Sequence, residues 1–381
     1  MANVIESNNL FSLSINGTIF QACWESMDIN KSMGNICDSI AVSTVDFFEE
    51  NQALWNIKMG DLYIADLDGQ VISTGYIDEI DISYSGENHT IEFRGRSKTC
   101  DLVDCSYYPD NNVYEFENKT VLQIIKLLCL PFNITVKYDL KGSVALSKIV
   151  AKFTVDQGSP VFEDINKLCV QYGILPFCTP LGELYLFRGE TNVNTSDILT
   201  ENNVIDGSLA LSNIDRFSKY IVKGSGNSTE FNIPFGEGAT SSGAFASIEP
   251  GIAKDLYINR NRPFVIMVDG ATDQGKMKEQ ALYESRIRYG NSRELTYTVQ
   301  GWTQASNGKL WKINQLVNIV DQKFNFEGTM LINNVNYNYA SGDGFITKLT
   351  LVSPLSYSIK PIVKQKGSKK TFDIDFPPKG N

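Results

Sequence analysis

The sequence predicts a mainly β protein with an α+β insert, in which two related β-barrels flank a small α/β part. Three observations carry that expectation. Short alternating strands separated by Asn-Gly, Asp-Gly and Ser-Gly turns fill both ends of the 381-residue chain. Helical periodicity is concentrated in the middle. A stretch near residue 60 is echoed some 255 residues later.

The elements follow in order. "FSLSING" alternates apolar and polar residues and turns at Asn16-Gly17, a strong hairpin signal. "DSIAVSTVDF" and "GDLYIADLDGQVISTGYIDEIDISYSG" continue the pattern through a turn at Asp68-Gly69. "FRGRSKTCDLVDCS" (93–106) then closes the first barrel, with Gly95 expected to let the chain turn. A helix capped by Asn118 places Val121, Ile124, Ile125, Leu128 and Cys129 on one face and stops at Pro131. The strand "NITVKYD" follows. A second helix starts at Ser159-Pro160, with Ser159 as cap, presents Phe162, Ile165, Leu168, Cys169 and Tyr172, and ends at Gly173. "ILPFCTPLGELYLFRG" reads as a hairpin across Pro180-Leu181-Gly182.

The β texture returns with "RFSKYIVKGSG". A Gly/Ser-rich stretch at 225–250 reads as a long loop, a helix spans about 273–289, and further strands run through "FITKLTLVSP". The expected domains are residues 1–103 (first barrel), 104–208 (insert, one or two small units), 209–358 (second barrel) and 359–381 (a basic flexible tail).

In the echo, Leu62 aligns with Leu316, Ile77 and Ile80 with Ile332 and Val335, Tyr84 with Tyr339, and Ser85-Gly86 with Ser341-Gly342. The period is far too long for a solenoid and suits two related barrels. Chance agreement between alternating strands is the competing account.

Composition excludes several roles. The net charge of −10 disfavours a duplex-binding function driven by phosphate neutralisation. From Lys360 onward, six lysines against Asp373 and Asp375 make the tail +4 and leave −14 on the body. Lys364, Lys366, Lys369 and Lys370 make that tail a candidate docking segment for an acidic partner. Seven cysteines with no C-x-x-C point to reduced thiols, with Cys100 and Cys105 expected as buried packing groups. No apolar run of membrane length and no signal-peptide pattern is present, so neither a membrane span nor secretion is expected.

Catalytic patterns are equally sparse. His89 is the sole histidine, no Gly-x-Ser-x-Gly elbow occurs, and Cys100 and Cys105 lack a second ligand pair for zinc. "GEGATSSG" lacks the Lys-Ser/Thr ending of a phosphate loop. Asp78 and Glu79 alternate across a strand rather than converging. No catalytic, cofactor or metal residue is expected. Arg94 and Arg96 share one strand face; with Asp101 and Asp104 they are candidate residues for a domain or subunit interface.

"IEFRGRSKTCDLVDCS" resembles a signature of the Mu-type contractile phage baseplate hub proteins (the late control protein D-like family), in which a Gly-Arg-Ser turn precedes an Asp-Leu-Val-Asp-Cys-Ser run. The resemblance extends through "KTVLQIIKLLCLPFNITV", where Asn133 stands in place of the family's Gly, and "VFEDINKLCVQYGILPFCTPLGELYLFR". It continues in "NRPFVIMVDGATDQGKMKEQALYESRIRYGNS", "VQGWTQASNGKLWKINQLVNIVD" and "GFITKLTLVSPLSY". It implies two tube-type β-barrels and a structural, non-enzymatic role. It also implies a homotrimeric ring adapting a sixfold tail tube protein to a threefold central spike protein, with baseplate wedge proteins as further partners. DNA would be only passing cargo through an acidic lumen. The implied location is the virion tail baseplate, assembled in the host cytoplasm. The alternatives are a tail-tip cell-wall hydrolase and a carbohydrate- or receptor-binding tail protein, the latter motivated by 21 Phe, 17 Tyr and 4 Trp.

Overall fold

The computed structural model describes residues 11–20, 24–45, 57–85, 88–139, 143–187, 194–225, 249–269, 274–342 and 344–358. The Gly/Ser-rich stretch at 226–248 and the basic tail at 359–381, including Lys364, Lys366, Lys369 and Lys370, lie outside the described residues.

The chain is mainly β, and its described residues divide into two compact units, one before 216 and after 285, the other between them. In the first unit the chain opens with β1 (Phe11–Ile15) and β2 (Thr18–Phe20), joined where Asn16 and Gly17 both take positive φ, as the Asn-Gly signal requires. Next come β3 (Trp24–Ser32), β4 (Ser39–Val45), β5 (Leu62–Leu67), β6 (Gln70–Ser85) and β7 (Asn88–Ser97). β5 and β6 turn at Asp68 and Gly69, again both at positive φ.

The insert follows: α1 (Cys100–Asp104), β8 (Glu115–Thr120), α2 (Val121–Cys129), β9 (Val136–Tyr138), α3 (Ser143–Leu146), β10 (Ile149–Thr154), α4 (Val161–Tyr172), β11 (Leu175–Cys178) and β12 (Leu184–Phe187). The apolar faces of α2 and α4 share one core with Leu102, Phe116, Val136, Leu184 and Leu186. The cap of α2 is Thr120, not Asn118. Thr120 Oγ1 accepts from Gln123 N at 3.2 Å, and Gln123 Oε1 accepts from Thr120 N at 2.9 Å. Asn118 instead sits inside β8 at φ 51°. α4 begins one residue later than expected: Pro160 is its flanking residue and makes no side-chain cap. Asn133 takes φ 52° after the turn that follows α2, a left-handed conformation that Asn tolerates.

β13 (Asn194–Thr200) and β14 (Asp206–Leu211) return the chain to the large sheet rather than finishing the insert. β15 (Lys219–Ser225), β16 (Gly251–Lys254) and β17 (Pro263–Asp269) then form a separate three-stranded sheet in the second unit, with Tyr220, Val222, Ala253, Met277 and Ala281 as its core. There Arg216 and Asp255 form a buried two-pronged ion pair, Nε to Oδ2 at 2.9 Å and Nη2 to Oδ1 at 3.0 Å. The region expected as a second barrel therefore contains a unit of its own. α5 (Gln274–Gly290) leads back to the first unit and to β18 (Arg293–Gln300), β19 (Leu316–Asp321), β20 (Phe326–Ala340) and β21 (Gly344–Val352).

The sheet topology makes the sequence echo concrete. Strand order in the first half is β3-β4-β7-β6-β5-β1; in the second it is β14-β18-β21-β20, then β19 and β13. The two orders superpose strand for strand. Both long strands carry a bulge, between Ile77 and Glu79 in β6 and between Ile332 and Asn334 in β20, so the extra residues are Asp78 and Asn333. The buried residues also correspond: Ile40 and Val42 with Leu295 and Tyr297, and Ile91 and Phe93 with Thr347 and Leu349. One difference is that β1 pairs β5 antiparallel whereas β13 pairs β19 parallel.

Each of the two related barrels expected from the sequence corresponds to one half of a shared sheet. Among the described residues neither half closes by hydrogen bonding. Instead β20 pairs with β3, and all strands of the two halves join in one 13-stranded sheet. A strand long enough to pass its own neighbour β19 has backbone groups left to satisfy, and β3 takes them. The sheet still curls: the rings of Phe11 on β1 and Trp24 on β3 lie 5.4 Å apart, and a single apolar core spans both halves.

Candidate assembly surfaces

β7 alternates strictly, with Ile91, Phe93, Gly95 and Ser97 inward and Glu92, Arg94 and Arg96 outward. Arg96 donates from Nε to Asp78 Oδ2 on the bulge of β6 at 2.7 Å, and its Nη2 lies 2.8 Å from Asp104 Oδ2 at the end of α1. It therefore spans the seam between sheet and insert. Those two carboxylates raise its pKa further above the ordinary guanidinium value. Arg94 is half-exposed and gathers Glu92 (2.8 Å), Asp81 (2.9 Å) and Glu79 (3.2 Å). Asp101 lies in the first turn of α1, beside the Cys100 thiol, and burial raises its carboxyl.

Gly95 does not turn the chain, because β7 runs through it to Ser97. Its role is close approach: a Cβ there would lie 2.5 Å from Tyr76 O and 2.9 Å from the Tyr63 ring. Gly75 on the facing strand is tighter still, with a Cβ falling 1.8 Å from Arg96 O. Cys100 is buried, but Cys105, also expected to be, is exposed, because the chain turns extended at the end of α1 and carries it outward. The neighbouring Cys37 side chain, together with burial, raises the Cys100 thiol.

Beneath this seam lies a buried polar cluster that strand periodicity does not reveal. Lys31 Nζ donates to Asp38 Oδ2 and, at 3.0 Å, to Ile72 O. Asp38 N donates to Ser97 Oγ at 3.0 Å, Ser97 and Thr99 share a hydrogen bond of 2.9 Å, and Thr99 Oγ1 donates to Ile36 O. Ile36 belongs to the insert core, so the cluster ties the β3–β4 turn to both sheet and insert. Burial raises the Asp38 carboxyl, and Lys31 opposes that rise. A lysine following "MDIN" in an alternating strand was the available sequence signal, and Asp38 seven residues on was its partner.

Nothing here converges as a catalytic site. Among the described residues no group of His, Cys, Asp and Glu is arranged to hold a metal ion, and no helix is long and apolar enough to cross a membrane.

Residues 11–97 match the family described as "Mu phage baseplate assembly protein GpP-like, N-terminal", 99–188 "Baseplate hub protein gp44-like, second domain", and 273–360 "Mu phage baseplate assembly protein GpP, fourth domain". The chain belongs to the Mu-type baseplate hub proteins. It is 26% identical over 367 residues to the baseplate hub protein gp44 of Escherichia phage Mu, covering 96% of this chain and 93% of that protein. The crystal structure of the 43 kDa tail protein of prophage MuSo2 from Shewanella oneidensis superposes with a TM-score of 0.74 at 26% identity, covering 93% of this chain and 99% of that one. A tail protein from Neisseria meningitidis MC58 gives 0.71 at 19%, with coverages of 93% and 98%. Family boundaries at 97–99 and 188 coincide with the ends of β7 and β12. As a hub protein the chain is a structural tail component, not an enzyme, and its place is the tail baseplate of a phage-type particle.

Proposed function

We propose that three copies of this hub protein form a ring whose six sheet halves adapt the sixfold tail tube to a threefold central spike, leaving a channel through which DNA passes. The observation that carries this reading is the repeated six-strand order with its repeated bulge at Asp78 and Asn333. Two equivalent halves per chain, taken three times, give six near-equivalent positions on one face, while chain identity keeps the other face threefold. The charge of −14 outside the basic tail suits a lumen that repels passing DNA. The basic tail is assigned to an acidic partner in the spike or wedge.

The test is a cryo-EM average of the purified chain, with mass by light scattering. A threefold ring with pseudo-sixfold modulation is expected. A monomer at assembly concentrations, or a lumen lined by Lys and Arg, overturns the reading.

A further inference from the structure

β6 and β20 are equivalent strands, and each has an outer half beyond its bulge. On β20 that half is covered: Asn334–Ala340 pair with β3, placing Tyr337 opposite Ile29 and Tyr339 opposite Met27. On β6 the corresponding Glu79–Ser85 have β7 on one side and no strand on the other among the described residues, because pairing with β5 ends at Tyr76. The consequence is visible in burial. Val335 and Tyr337 are buried, whereas Ile82, the equivalent of Tyr337, is 51% exposed, and Tyr84, the equivalent of Tyr339, is 84% exposed.

The strand equivalent to β3 is β14. It closes the other end of the sheet and has only β18 beside it among the described residues. The pairings β3–β4 and β14–β18 set the correspondence: Met27 matches Gly207 and Ile29 matches Leu209. On this edge Leu211 is 67% exposed. Neither Glu79–Ser85 nor Asp206–Leu211 contains a lysine or proline; the charges of the first segment, Glu79 and Asp81, are held by Arg94, and Asp206 stands at the end of the second.

We propose that Glu79–Ser85 of one copy pairs antiparallel with β14 of a second copy of this chain, in the register of the β20–β3 seam. Ile82 then faces Leu209, Ile80 faces Leu211, and the Tyr84 ring covers Gly207, an aromatic lying over an edge glycine. The two edges are different surfaces, so the contact is head-to-tail and propagates around a closed ring. This deepens the ring reading and rests on it: one seam is made inside the chain by β20 and β3, the next between chains by β6 and β14.

The test is interchain disulfide trapping in the full-length chain carrying Cys23→Ser and Cys105→Ser; Cys105 is the exposed thiol among the described residues, and Cys23 lies outside them. Ser83 and Ser208 correspond to Asn338 and Asp28, whose side chains meet at 3.3 Å on the internal seam. Chains carrying both Ser83→Cys and Ser208→Cys are expected to give interchain disulfides on mild oxidation. The out-of-register pair Ser83→Cys with Ala210→Cys should yield at least tenfold less. Mass by light scattering is read on the same samples. A ring-sized particle that does not cross-link in register overturns the edge pairing and leaves the ring reading standing; a chain of monomer mass that does not cross-link overturns both. As a second variant, Ile82→Lys should shift the mass to single chains with the melting temperature unchanged within about 2 °C, and assembly equal to the parent would overturn the proposal.

Discussion

Replacing Lys31 by methionine removes the cation that faces the buried Asp38 carboxylate. Lys31 and Asp38 are 6% and 2% exposed, so water reaches neither group to replace the lost partner. Methionine fills most of the lysine stem, which keeps packing nearly constant and isolates the electrostatic loss. Breaking a buried pair by removing one member costs about 3–5 kcal/mol, because the remaining charge is left unpaired. Ile72 O loses its 3.0 Å donor as well, adding about 1 kcal/mol. At roughly 2 °C per kcal/mol for a unit of this size, the melting temperature should fall by about 8–12 °C. Asp38→Asn alone should cost a similar amount, since it leaves the Lys31 ammonium buried without its counter-charge. The double variant should be much milder than the sum of the two, with a coupling of about 2–3 kcal/mol.

The pH dependence has a definite sign. Burial already raises the Asp38 carboxyl, and without Lys31 it rises further. A folded-state pKa above the unfolded value means that the folded form holds the proton more tightly. The associated stability is present below the unfolded value, near 4, and is lost as pH rises through the folded one. The Lys31→Met deficit should therefore be full at pH 8 and shrink steadily toward pH 4. Thermal melts at several pH values decide it. Single variants within 1 kcal/mol of the parent, or a deficit that grows on acidification, would refute the assignment of this pair as a buried ionic tie.

Arg96→Ala removes pairs with Asp78 and Asp104 that are a third or more exposed, so it should cost under about 1 kcal/mol in thermal melts while weakening assembly measured by light scattering. Gly75→Ala drives a Cβ into Arg96 O and should cost about 3 kcal/mol or more, whereas Gly34→Ala, whose nearest contact is Ser32 Oγ at 3.7 Å, should be nearly neutral; equal melting temperatures would sink the comparison. Thr120→Ala should lower stability by about 1 kcal/mol through loss of the capping box on α2, whereas Asn118→Gly, outside that cap and at a positive φ that glycine accepts, should be nearly neutral in the same thermal melts.

Much of this architecture is legible in the sequence because the signals are local. Asn16-Gly17 and Asp68-Gly69 specify their turns through positive φ, and the apolar faces of α2 and α4 follow the helical period. The echo reports the two sheet halves because a repeated strand order repeats its buried positions. What escaped is non-local. That β3 seals β20 depends on pairing between residues about 300 apart, which alternation cannot reveal. The same holds for β13 and β14, whose membership of the large sheet is decided by partners far along the chain. The Lys31–Asp38 pair was hidden for a related reason: a charged residue in an alternating strand reads as outward unless its counter-ion is known. Gly95 shows no sign of its role in the sequence because a glycine's reason, turning or close approach, lies in its neighbours rather than in itself.

The two seams differ chemically in a way that bears on assembly. On the internal seam the outward residues form a neutral-to-acidic ladder, Asn334 to Asn30 at 2.6 Å and Asn336 to Asp28 at 2.9 Å. The chain itself brings those strands together, so the seam needs no protection beforehand. The outward face of β6 and β7 instead carries Glu79, Asp81 and Glu92 around a single Arg94, a net of two negative charges. Two such faces brought together by a β6–β6 pairing repel. Of the outward residues of β14, Ser208 and Ala210 carry no charge and Asp206 falls at the strand end opposite Ser85, so in a β6–β14 pairing Glu79 and Asp81 face no acid directly. Arg94 thus has a role that a surface salt bridge alone would not suggest: it holds enough acid near the open edge to disfavour like-with-like pairing while leaving Ile80, Ile82 and Tyr84 on the opposite face to pack. Arg94→Ala should leave the wrong pairing disfavoured and lower the on-rate of the right one only modestly. Converting Glu79, Asp81 and Glu92 to glutamines should produce salt-insensitive, open-ended aggregates in place of particles of defined mass, and a triple variant that keeps the parent's mass distribution would remove the charge argument.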